Sequence, residues 1–80
     1  MSEYLEAVGR REEHKLQQAR LVAECEALRD SLRRLLPLGE DVHALDREKI
    51  LQTALALDQS ICELGEIKKK LNVIGEFLGR

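Results

Sequence analysis

Eighty residues with a formal net charge of −2 make one small domain, which buries only about 60% of its unfolded surface and is marginal alone. Charged residues are 35% of the chain and aromatics 2%, with both signs interspersed, which argues against a general nucleic-acid binder and for long helices. No apolar run approaches the roughly 18 residues of a membrane span, and "MSEYLEAVGRREEHK" does not read as a signal peptide, so a cytoplasmic protein is expected.

The first element is predicted as a helix over about residues 3–36. Its seam runs through Leu21, Cys25, Leu28, Leu32 and Leu35, alternating four- and three-residue steps in the manner of a heptad. Traced backwards the seam meets Gln18, His14, Arg11, Ala7 and Tyr4, so its middle is polar. Pro37 then stops the helix, because it lacks an N–H and restricts Leu36. A loop over about residues 37–45 follows, with Gly39 as its turn position and Asp41 and Asp46 as candidate N-caps.

The second helix is predicted over about residues 46–78, or from about 42 if Asp41 is the cap. Its seam is read through Ile50, Ala54, Leu57, Ile61 and Leu64, then a three-residue slip to Ile67, then Leu71, Ile74 and Leu78. The slip coincides with Gly65, a weak helix former, and would overwind the pair locally.

Two helices of similar length on a short loop predict an all-α antiparallel hairpin, coiled-coil-like. Leu21 is expected near Leu57, and Tyr4, Leu5 and Val8 near Leu71, Ile74 and Leu78. Val22, Leu36, Leu45, Leu51, Leu55 and Cys62 fall beside the seams. So wide an apolar face exceeds what one partner helix covers, and these six residues form the expected interaction surface. A second copy completing a four-helix bundle, or another protein, would cover it.

Few residues suggest chemistry. His14 and His43 lack the helical spacing of metal ligands, Cys25 and Cys62 form no CxxC, and both cysteines are expected as small core residues of a reducing compartment. The glycines are scattered singly, so there is no phosphate loop; no metal or cofactor is expected. Arg10–Arg11, Arg33–Arg34 and Lys68–Lys70 are short basic clusters with acidic neighbours and read as solvated faces. The chain, with no Trp and one Phe, is short of the aromatic anchors of a membrane-surface helix; "IKKKLNVIGEFLGR" comes nearest to one.

Asp58 stands in the middle of the largely apolar stretch "ILQTALALDQSICELG", with no basic residue within several positions on either side. The run "LRDSLRRLLPLGEDVHALDREKILQTALALDQSI" resembles the small sporulation-regulatory aspartyl-phosphate phosphatases, over about half of the chain. Leu57 and Asp58 match the closing Leu-Asp of that family's Ser-Gln-x-Leu-Asp motif, and Ile61 matches the apolar residue one turn later. Ala54 stands where the family has Ser, and Leu55 where it has Gln. The resemblance implies a helical hairpin that dephosphorylates a response regulator, with Asp58 as the catalytic residue. Three readings follow: a non-catalytic interaction or regulatory hairpin, which the residues favour; a response-regulator phosphatase using Asp58; and a purely structural dimer.

Overall fold

The computed structural model describes residues 2–79. It consists of α1 (Ser2–Leu35), a single 3₁₀ turn (Val42–Ala44) and α2 (Arg47–Leu78), with no strand among the described residues. The two helices pack against each other as a hairpin, and their ends lie within two residues of those expected from the sequence.

Local chemistry places the bend. At the end of α1 the Leu36 N–H donates to the Arg33 carbonyl at 3.2 Å, a tightened last turn before Pro37. Gly39 follows with φ +84°, a left-handed position that glycine occupies without strain. The two candidate caps are both used. The Asp41 carboxylate accepts from the His43 N–H at 2.9 Å and opens the 3₁₀ turn; the Asp46 carboxylate accepts from the Lys49 N–H at 3.1 Å and opens α2. Arg33 and Arg34 sit in the last turn of α1 and Glu48 in the first turn of α2, each complementing the helix dipole.

The α1 seam is the expected one. Ala7 and Leu21 are buried, and Arg11, His14, Gln18, Cys25, Leu28, Leu32 and Leu35 are half-buried. The α2 seam differs. It passes through Ile50, Thr53, Leu57, Ser60, Leu64, Ile67, Leu71, Ile74 and Leu78, all buried or half-buried, alternating three- and four-residue steps without a slip. Ser60 is 4% exposed, whereas Ile61 is 54% exposed. The expected slip at Gly65 therefore disappears, and α2 is continuous across it. Ser60 holds a seam position because its small side chain fits a close approach and its hydroxyl donates to the Glu24 carboxylate of α1 at 3.2 Å, so that this buried hydroxyl is paired. Glu24 thus meets α2 closer to its C-terminus than pairing Leu21 with Leu57 implies. At the open end Ala7 and Val8 are covered, but Tyr4 and Leu5 are exposed, contrary to the expected apolar contact there.

The product is a rod of 62 × 16 × 14 Å with a radius of gyration of 18.1 Å, against about 12 Å for a compact globule of this length. Ala7, Leu21, Ser60 and Ile67 are its buried residues among those described. A two-layer rod has no interior beyond the single seam, so most apolar side chains stay in contact with water.

Candidate functional site

In the first half of α2, most of the apolar side chains that miss the seam gather on one side. Ala54 and Ile61 flank it; one position further round stand Leu51 and Asp58; on the back of the helix stand Leu55 and Cys62. At 100° per residue these positions cover about 120° of helix surface, the width of a core-facing stripe. Here the stripe faces outward: Leu51 is 59% exposed and Leu55 61%, and Cys62 is exposed as well.

α1 extends this face. Arg10 shares a groove with Lys70 and Phe77, and Glu24 reaches Ser60, which fixes one flank of the hairpin. By heptad spacing the opposite flank brings the Val8, Val22 and Leu36 positions of α1 to the side of Ala54 and Ile61. Val22 and Leu36 are exposed there. Of the six residues expected to form the interaction surface, Val22, Leu36, Leu51, Leu55 and Cys62 are exposed, and Leu45 is half-buried in the loop. Sequence reasoning missed Ile61, which it assigned to the seam. The unbroken alternation through Thr53 and Ser60 was the signal that would have released it.

Asp58 lies inside the face. Its neighbours three and four positions away are Ala54, Leu55, Ile61 and Cys62, the four side chains that border it on a helix surface. It is exposed, as is Gln59. The ion pairs among the described residues are Arg11–Glu12, Lys15–Glu12 and Arg29–Asp30; all are local pairs on α1, and Asp58 enters none. The arrangement is a single carboxylate on a rigid helix, framed by apolar surface.

Other candidate chemistry is not brought together. Cys25 is half-buried and Cys62 exposed, both as free thiols; the expectation that both are core residues fails for Cys62, which the seam through Ser60 turns outward. No group of three or more His, Cys, Asp or Glu side chains among the described residues is placed to hold a metal ion. No helix among them is long and apolar enough to cross a membrane. The chain matches no protein-family model, no curated protein and no solved structure.

Proposed function

We propose that the protein is a small interaction hairpin, working without catalysis, that buries the outward apolar face of α2 against a second protein. The observation that carries this reading is the continuous stripe of Leu51, Leu55, Ile61 and Cys62, exposed, with half-buried Ala54 at its edge, on a chain with almost no core. Burying a leucine is worth about 1.5–3 kcal/mol, so covering this stripe supplies binding energy that leaving it in water forgoes. The test is affinity capture from the native organism with wild type and with Leu51→Glu/Leu55→Glu. A specific partner retained by wild type and lost by the variant supports docking through α2. Equal retention by both removes the face from the interaction.

A second reading is favoured by Asp58 itself. An acid ringed by apolar side chains on a docking surface would be delivered against whatever binds there. In a response-regulator phosphatase the regulator holds the metal ion and the acyl phosphate, so the hairpin need contribute one polar group. The Asp58 carboxylate would orient a water whose oxygen bonds to phosphorus as the regulator's aspartate leaves as carboxylate. Dephosphorylation of a phosphorylated regulator from the same organism, abolished by Asp58→Ala with helical content intact, supports this role. No effect of wild type on any of that organism's regulators removes it.

A further inference from the structure

The flank opposite the α2 face carries a second feature. At the open end of the hairpin, α1 and α2 enclose a groove of about 730 Å³. Its apolar part is Ala7, Val73, Ile74 and Phe77, of which Val73 and Phe77 are exposed. Its charges are ordered along the rod. Glu3 and Glu6 stand towards the open end, and Arg10, Lys69 and Lys70 stand further in. None of these five enters an ion pair among the described residues. Glu3 stands seven residues from Arg10, about 10 Å along a helix; Glu6 and Arg10 stand one turn apart, within reach of each other, yet no ion pair joins them.

We propose that a second copy of this chain seats in this groove, the two hairpins overlapping at their open ends about a two-fold axis beside Ala7 and Ile74. A two-fold contact is self-complementary, each residue meeting its counterpart's partner in both directions. Reversing one rod against the other lays Glu3 and Glu6 of each copy over Arg10, Lys69 and Lys70 of the other. It also stacks Val73 and Phe77 from both copies into one apolar centre. The overlap forms a short four-helix section and leaves the α2 face, on the opposite flank, free for a different protein. This deepens the docking reading by assigning separate surfaces to self and partner.

The experiment is sedimentation equilibrium at micromolar protein and low salt, where rim charges are least screened. Glu3→Lys/Glu6→Lys makes the groove wholly cationic; Arg10→Glu/Lys69→Glu/Lys70→Glu makes it wholly anionic. All five positions are exposed, and circular dichroism checks that both variants keep their helices. Wild type is expected to dimerise, and like-charge contacts should weaken self-association of each variant by about tenfold or more. An equimolar mixture of the two variants should recover the dimer, since each cationic groove then meets an anionic one. A monomeric wild type, variants that associate as wild type does, or a mixture that stays monomeric would each overturn the proposal. Loss of the dimer in Leu51→Glu/Leu55→Glu alone would also overturn it, placing the second copy on the α2 face while leaving the docking reading intact.

Discussion

At the scale of single residues, burial separates side chains that hold the hairpin from those that face outward. Leu21 is 6% exposed, and Leu21→Ala should cost roughly 2–4 kcal/mol through lost burial and an unfilled seam. Leu57, half-buried, should lose less. Asp58 is exposed and outside the seam, so Asp58→Ala should move stability by no more than about 0.5 kcal/mol. Thermal melts of Leu21→Ala and Asp58→Ala check the pair; equal losses would mean that Asp58 is held in the fold and not presented by it. Arg11 offers the reverse case. It occupies a seam position, and its Nε is buried without a hydrogen-bond partner, the nearest carboxylate being Glu12 at 3.8 Å. Removing an unsatisfied buried donor recovers part of its desolvation cost, so Arg11→Leu should stabilise the hairpin by about 1 kcal/mol in a denaturant titration. A loss there would show that the guanidinium contributes through its aliphatic stem and solvated end.

At the scale of the helices, Gly65 carries the sharpest expectation. A Cβ built there meets nothing within 4 Å, and the α2 seam passes to either side of it through Leu64 and Ile67. Gly65→Ala should therefore raise stability by about 0.5–1 kcal/mol, the difference in helix propensity alone. A decrease in thermal midpoint would mean that a close contact at this position has been missed. The same stretch shows what the sequence made legible. Pro37, Gly39, Asp41 and Asp46 each act through local backbone chemistry, so the helix ends and the bend could be read directly. The α1 seam could be read because leucine, or Cys25 in its place, marks every turn from Leu21 to Leu35. The α2 seam could not, because Thr53 and Ser60 hold positions where an apolar residue was sought, while Ala54 and Ile61 stand one residue away. A buried hydroxyl is admissible only when it finds a partner, and the Ser60 partner, Glu24, is 36 residues distant. That pairing depends on the stagger of the two helices, which no local pattern carries. With the seam rotated by this one step, Ile61 joins the outer face and completes the apolar border of Asp58.

At the scale of the whole molecule, the rod exposes 6556 Å², whereas a compact protein of 9.1 kDa exposes about 4900 Å². The difference is about twice the surface that one partner contributes to a standard protein–protein interface. With so few residues buried within one copy, folding and association should be linked: the proposed dimer would bury surface that the separate hairpin leaves in water. Linkage makes the thermal midpoint depend on protein concentration. For a dimer that unfolds to two chains, each tenfold rise in concentration adds about 1.4 kcal/mol to its stability. Two copies of the 80-residue chain unfold with an entropy of about 2.1 cal/mol/K per residue if they are as well packed as globular proteins. The midpoint should then climb by roughly 4 °C per decade of concentration, and by more if the thin core lowers that entropy. Calorimetric scans between about 5 and 500 μM would span two decades and give a shift of roughly 8 °C. The groove variants, taken singly, should show little of this dependence, and their mixture should regain it. A wild-type midpoint that stays fixed across the range would identify the hairpin as a monomer whose apolar faces await other proteins.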